Sequence, residues 1–489
     1  MVLQTNAPEQ AAGYDWHRIF DSVAEHDYVV DEIDGKLPQG LVGTLYRNGP
    51  GKNEVGGKPY AHLFDGDAML SQFVLDGESV RYRNRYVRTT HYLAERAADK
   101  PLMRGYGQQR PGGVLRNAFR TPANVANINV TYHSGNLLAL WEGGRPWQLD
   151  PDTLETIGEY DFDGELKGGY AYSAHPTWDP STRELFNFGI QYGPRTRLRT
   201  YKVDAGGRLH HLRPVTLPFP TINHDCALTN RNMVFVIDPL VVRLPQFLAG
   251  VSSLDKSVRF DHKKATQVIL VPRDGGKPRV AECEPFFHYH INNAFEDGGD
   301  TVLDLVRYSD YDSIHRHFRE FRTADFQVHT SLCRLRVKPD DKVEIEDLYP
   351  FECEFPQHDW RLTTSRHRFA YMAGRGDAGD APFGSVIKFD HDLKSSSTHD
   401  LGAGQIAGEP IFVPRSPDSP EDDGWLLTVV YSAPEHRSRL VVLDARDLES
   451  DPVAVAHLRH HVPLGFHGTW TSRVAAPRGS PPSPNGASA

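Results

Sequence analysis

Along most of the chain, short apolar runs alternate with clusters of Gly, Pro, Asp and Asn, the pattern of β-strands separated by turns. Leu137-Leu138-Ala139-Leu140-Trp141 is one such run, and the turn residues Asp150-Pro151-Asp152 follow it closely. Residues 184–192, 267–272, 301–306, 425–431 and 439–444 repeat the pattern, with Arg273-Asp274-Gly275-Gly276 as a further turn. No long amphipathic helices alternate with these runs, which disfavours a βαβ fold and favours a barrel, sandwich or propeller. The phrases QLDPDTLETIG, TYKVDAGGRLHH, IKFDHDLKSSSTH and VVLDARDLESDPVA resemble one another. Each reads as a strand ending in Asp, a polar turn and a second strand, which is the outer hairpin of a propeller blade. Seven blades would use about 60–70 residues each, more than the ~40–50 of common propeller repeats. The surplus must then form long loops and short helices that cap one face. The expectation is an all-β, seven-bladed β-propeller in which residues 14–472 form a single domain.

Two segments depart from the strand pattern. Trp16, Ile19, Phe20 and Val23 stand at helical spacing and predict a short amphipathic helix within 14–27, packed onto the body. Residues 237–254 carry Leu240, Val241, Val242, Leu244, Phe247, Leu248 and Val251. That stretch is too short and interrupted to cross a bilayer, so it is either a buried cap element or an apolar surface patch. Residues 1–13 read as an N-terminal extension, and 475–489, rich in Pro, Ser, Gly and Ala, as a disordered tail.

Composition narrows the function classes. The 39% apolar and 24% charged content is that of a globular chain, and a net charge of −10 without a basic stripe argues against nucleic-acid binding. The first residues lack the basic start and apolar core of a secretory signal. Cys226, Cys283, Cys333 and Cys353 are far apart and form no CxxC pair, which fits reduced thiols in a cytoplasm. The 24 histidines are about twice an average share, so position must decide which of them matter.

Four do by position. His175 in SAHPTWD, His224 in INHDCALT, His290 in HINNAFED and His467 in GFHGTW each lie near the end of a strand-like run, among small or turn-forming residues. Their separations of 49, 66 and 177 residues approximate one, one and three blade lengths. Histidines at equivalent ends of inner strands would converge on the propeller axis, where four neutral imidazoles suit iron, copper or zinc. Glu142, Glu354 and Glu409 stand in apolar or Gly/Pro contexts where an unpaired carboxylate is costly to bury. Each would suit a metal-bound histidine that donates its second ring N–H outward, or else would pair with a nearby Arg or Lys.

With these residues in place, the chain resembles the carotenoid cleavage oxygenase family, and most closely its cyanobacterial-type apocarotenoid-cleaving members. GTLYRNGPG, FDGDAM, ANINVTY, LLALWEGG, the four histidine segments, CEFP and AGEPIFVPR carry the resemblance across roughly 14–472. It implies a seven-bladed propeller with an axial Fe(II) on His175, His224, His290 and His467. It selects His290 over His288, because the family ligand stands three residues before Asn293. It places Glu142, Glu354 and Glu409 behind three of the histidines and leaves His175 without a glutamate. At Ile128 the chain departs from the family's threonine; isoleucine can still crowd the metal but cannot hydrogen-bond.

The resemblance implies an O2-dependent cleavage of a carbon–carbon double bond in an apocarotenoid, yielding two carbonyl products. Trp141, Phe64 and Phe466, with Ile128, are candidates for lining the tunnel that admits the apolar polyene. The stilbene-cleaving branch carries a lysine where this chain has Trp141, which favours an apocarotenoid over a phenolic stilbene. The rivals are that stilbene-cleaving activity and a non-catalytic binding propeller. Because such substrates reside in membranes, residues 240–254 are expected to make a peripheral membrane contact on an otherwise cytoplasmic monomer.

Overall fold

The computed structural model describes residues 14–309, 311–324, 329–377 and 382–477. Their strands form seven antiparallel sheets of four to six strands, arranged as the blades of a propeller, together with two small two-stranded ribbons. The innermost strands of the first five blades are Asn129–His133, Thr177–Asp179, Ala227–Leu228, Phe287–Asp297 and Cys353–Gln357. The sixth blade begins with Gln405–Ala407 and Ile411–Pro414, and the seventh with Gly468–Thr471.

Two strand exchanges close the ring. The N-terminal strand Val42–Lys52 pairs with the C-terminal Gly468–Thr471 inside the seventh blade. Glu32–Gly35 adds the outer edge of the sixth blade by pairing with Ala454–His457. All four hairpin phrases form outer hairpins: Trp147–Leu149 with Thr156–Glu159, Arg197–Val203 with Leu209–His211, Ser385–Asp390 with Ser395–Asp400, and Arg437–Asp444 with Ala454–His457.

The core lies between blades. One apolar cluster joins Leu303 and Leu305 of the fourth blade to Val234 and Val236 of the third. Another joins Val306 and Tyr308 to Ala370 and Met372 of the fifth. Successive side chains of a strand point to opposite faces, so one strand serves two interfaces, and both faces of a blade are apolar. This explains the near-continuous hydrophobic runs in the sequence.

Three expectations change. The helix foreseen within 14–27 is a single 3-10 turn, Trp16–Phe20, and a strand already begins at Asp27. Trp16, Ile19 and Phe20 bury in one cluster while Val23 packs in another with Met69 and Tyr86, so the apolar residues serve two neighbours rather than one helix face. Residues 240–254 are likewise divided. Leu240 and Phe247 are buried, Phe247 beneath the Arg104 guanidinium at 3.9 Å, whereas Leu248 and Val251 are exposed. Phe247 is therefore a cap-packing residue and not part of an outward patch. The expected tail starts late: Ala475 is buried and donates its N–H to Thr44 Oγ1. Residues 1–13 and 478–489 lie outside the described residues.

Candidate metal centre

The inner strands deliver one functional position per blade to the axis. Ile128 precedes the first, His175 the second and His224 the third; His290 lies in the fourth and Glu354 in the fifth; Glu409 falls between the two inner strands of the sixth, and His467 precedes the seventh. Local irregularity aims them. Strand Phe287–Asp297 shifts register on both sides of Ile291, and Cys353–Gln357 shifts after Glu354, where Phe355 has φ of 55°. Such bulges re-aim side chains next to active sites.

Each of the four histidines offers one ring nitrogen to a group whose atoms all lie within 4.8 Å of one another. His224 Nε2 and His290 Nε2 stand 3.2 Å apart. His175 Nε2 is buried without a hydrogen-bond partner. The outward nitrogens meet carboxylates: His290 Nδ1 is 2.5 Å from Glu354 Oε2, His467 Nδ1 is 2.9 Å from Glu409 Oε1, and His224 Nδ1 is 2.9 Å from Glu142 Oε1. An acceptor behind Nδ1 keeps the proton there and turns the Nε2 lone pair inward, as a ligating imidazole requires. The donor set therefore fits a divalent metal of the imidazole-binding kind. His288, the competing histidine, faces away and pairs with Asp238 at 2.9 Å.

The glutamates are held in turn. Tyr308 donates its hydroxyl to Glu354 Oε1 at 2.6 Å. Glu409 accepts from Arg47 Nη1 at 2.5 Å, Gln357 Nε2 at 2.9 Å and the Gly468 N–H at 2.9 Å. Both readings of Glu409 hold at once, since it pairs with a histidine and with an arginine. Gly468 admits this approach: a Cβ there would stand 2.4 Å from the Tyr46 carbonyl and 2.6 Å from Arg47 Cδ. The sequence reading missed Arg47 and Tyr308, although the unexplained arginine of GTLYRNGPG was a signal.

Burial sets the protonation of the centre. It pushes His175 well below the ordinary imidazole range, with His224, His467 and His290 adding to the effect. It pushes His467 down to about 4 against the pull of Glu409. Burial also pushes His290 down, but the Glu354 carboxylate outweighs it and His290 ends above its usual value. Glu354 ends below the usual carboxylate value, because His290, Tyr308 and the Phe355 N–H overcome its desolvation.

A largely apolar cavity opens onto His224, His290 and His467. Phe64, Ile128 and Phe466 line it, as do Tyr289, Phe318 and Phe355. Trp141 is buried in one apolar cluster with the cavity-lining Leu63, Ile128 and Phe466, against Gly143, where a Cβ would meet its ring at 2.3 Å. Ile128 also carries backbone order to the centre, since its carbonyl accepts the His467 N–H at 3.3 Å.

A propeller whose axis carries four inward imidazoles, three of them beside glutamates, fits a metal-dependent oxygenase class. The profile of the retinal pigment epithelial membrane protein family matches residues 19–472. The chain belongs to this family, that of the carotenoid cleavage oxygenases. It is 36% identical to the apocarotenoid-15,15'-oxygenase of Synechocystis over 95% of this chain and 98% of that protein. It is 31% identical to the isoeugenol monooxygenase of Pseudomonas putida, over 90% and 94% of the two chains. The cobalt-substituted Synechocystis enzyme superposes with a TM-score of 0.88, covering 94% of this chain and 98% of that one.

Proposed function

We propose that this protein is a non-haem Fe(II) dioxygenase that splits one carbon–carbon double bond of an apocarotenoid with O2, giving two carbonyl products, one of them of retinal type. The observation that carries this reading is that three of the four axial histidines form part of the wall of an aromatic-lined cavity. Bound iron supplies the activation of O2. The chain's own residues do the remaining work. Phe64, Tyr289, Phe318, Phe355 and Phe466 present flat apolar surface to a polyene and exclude water around the reacting bond. Glu354 and Glu409 hold the proton on Nδ1 of His290 and His467, and the Glu142 carboxylate stands 2.9 Å from His224 Nδ1. Among the described residues no carboxylate joins the four inward histidines, so the 2-oxoglutarate type of site, with two histidines and one carboxylate, is disfavoured. Incubation of the iron-loaded protein with apocarotenals of several chain lengths under O2, with product masses read, tests the proposal. Two carbonyl fragments per turnover support it, and intact substrate in every case refutes it.

The same reading includes delivery from a membrane. Leu248 and Val251 are exposed beside Val114, Leu115 and Phe119, and the Phe119 N–H bonds the Leu248 carbonyl at 2.7 Å. Five neighbouring exposed apolar side chains suit contact with lipid. No helix among the described residues is long and apolar enough to cross a membrane, so the contact is peripheral. Arg319 of helix Tyr311–Arg319 pairs with Asp255 of this cap at 3.5 Å, and Ile314 and Phe318 of that helix line the cavity. Leu115→Ser with Leu248→Ser should weaken liposome binding by about 1.5–3 kcal/mol per side chain and slow turnover of membrane-held substrate. Turnover of detergent-dispersed substrate should change much less. Unaltered liposome binding would remove this surface from the proposal.

A further inference from the structure

We propose that Asp225 is a positioning residue for the metal centre, serving as the carboxylate that the glutamates do not supply to His175. The inference rests on the four-histidine reading of the site. Asp225 is buried and immediately follows His224. Its Oδ1 lies 3.8 Å from His175 Nδ1 and accepts the Cys226 N–H at 2.6 Å. Its Oδ2 accepts the N–H of Ile291, the residue after His290, at 2.8 Å. One carboxylate thus touches three of the four segments that carry the histidines, in the second, third and fourth blades.

The chemistry follows from His175. Its Nε2 is buried, points to no protein partner and belongs with the inward nitrogens of the other three histidines. For Nε2 to offer a lone pair, the proton must sit on Nδ1, and the nearest charge to Nδ1 is the Asp225 carboxylate. At 3.8 Å the attraction is electrostatic rather than a hydrogen bond. It favours the same tautomer that the glutamates enforce by contact on the other histidines. The Ile291 bond meanwhile anchors the strand of the fourth blade where its register shifts, which fixes how far His290 reaches toward the axis. Two further ties between the second and third blades, Ser173 Oγ to the His224 carbonyl at 3.3 Å and Thr177 Oγ1 to the Cys226 carbonyl at 2.9 Å, carry no charge.

The test uses cobalt(II)-loaded protein. Coordinated imidazole N–H protons give hyperfine-shifted, solvent-exchangeable proton resonances, and His175→Ala identifies its own by deletion. Asp225→Asn keeps an oxygen for the Ile291 N–H but removes the charge. It should displace the His175 resonance or lose it to exchange, spare the His467 resonance and lower cobalt affinity roughly 10–100-fold. Asp225→Glu, which restores the charge one methylene further out, should recover part of that affinity while still moving the His175 resonance. An unchanged resonance and affinity in Asp225→Asn would overturn the proposal, leaving Asp225 a backbone tie alone. If Asp225→Asn does not fold, Asp225→Glu decides by the same resonance, and an unmoved signal overturns the proposal. Absence of any shifted imidazole resonance in the wild-type protein would instead defeat the four-histidine reading itself.

Discussion

Among the described residues, two groups containing histidines stand close enough to hold an ion, and they differ in what stands behind Nδ1 of each ring. At the axis, Nδ1 of His224, His290 and His467 meets a carboxylate, so Nε2 is free to bind a cation. In the second cluster, His367 and His391 approach Asp304 between the fourth and fifth blades, and the three also stand close enough to hold an ion. There Nδ1 meets donors. Arg334 Nη2 donates to His391 Nδ1 at 3.2 Å and also holds Asp304 with its Nε and Nη2 at 2.7 and 2.8 Å. Asn293 Nδ2 donates to His367 Nδ1 at 3.2 Å. Its orientation is fixed, because Nδ2 also donates to the Leu362 and Ser365 carbonyls and Oδ1 accepts the Thr364 N–H. His367 Nε2 has the Asn292 side-chain amide at 3.1 Å and Asp304 Oδ2 at 3.4 Å, whereas His391 Nε2 lies 3.6 Å from Asp304 Oδ2 without a hydrogen-bond partner among the described residues. Proximity of ligand-type residues is thus insufficient; a donor behind Nδ1 favours the tautomer that turns an N–H, not a lone pair, toward the cluster.

The largest expected effect separates the clusters by metal content. His224→Ala, His290→Ala or His467→Ala should abolish activity and strip the protein of iron, whereas His391→Ala should retain about one iron per chain by elemental analysis. Two metals per chain in the wild type would break the comparison. Next, Asp304→Asn leaves the Arg334 guanidinium without its buried counter-charge and should cost roughly 3–5 kcal/mol in denaturant unfolding, with iron content unchanged.

Smaller effects sharpen the axial half. Glu142→Gln, Glu354→Gln and Glu409→Gln should fold yet lose iron affinity or activity by roughly 10–100-fold. Wild-type behaviour in all three would make these glutamates structural only. Tyr308→Phe removes the hydroxyl that Glu354 accepts at 2.6 Å. Losing a hydrogen bond to a charged group costs about 1.5–3 kcal/mol, and only the part transmitted through His290 should reach the metal. Iron affinity should fall by less than in Glu354→Gln, which isothermal titration of the two variants side by side would check.

Much of this was legible along the chain. The propeller architecture and four of its outer hairpins follow from strand-turn-strand phrases whose Asp residues form the turns, as at Asp150 and Asp204, while the count of seven blades comes from the family resemblance. The histidines and glutamates were legible because a carboxylate among Leu, Ala and Trp, or before Phe and Pro, has no cheap solvent-free state without a partner. The division of residues 240–254 was not legible. Its apolar residues look alike in sequence, and only the Arg104 guanidinium stacked on Phe247 turns that ring inward while Leu248 faces out. The company of Trp141 was not legible either: adjacency to Glu142 along the chain does not say which side of the blade a ring enters, and its burial with Leu63, Ile128 and Phe466 is a tertiary outcome.

The sequence by itself determined the alternation that makes blades, the turns that end them and the set of residue types able to hold a metal, because strand period and side-chain chemistry are local properties. Only the tertiary structure decided which nitrogen each axial histidine turns inward, that Arg47, Tyr308 and Asp225 stand behind the centre, and that Asn293 and Arg334 stand behind His367 and His391. Those outcomes depend on contacts between blades far apart in the chain and on register shifts near Ile291 and after Glu354, which no periodicity encodes.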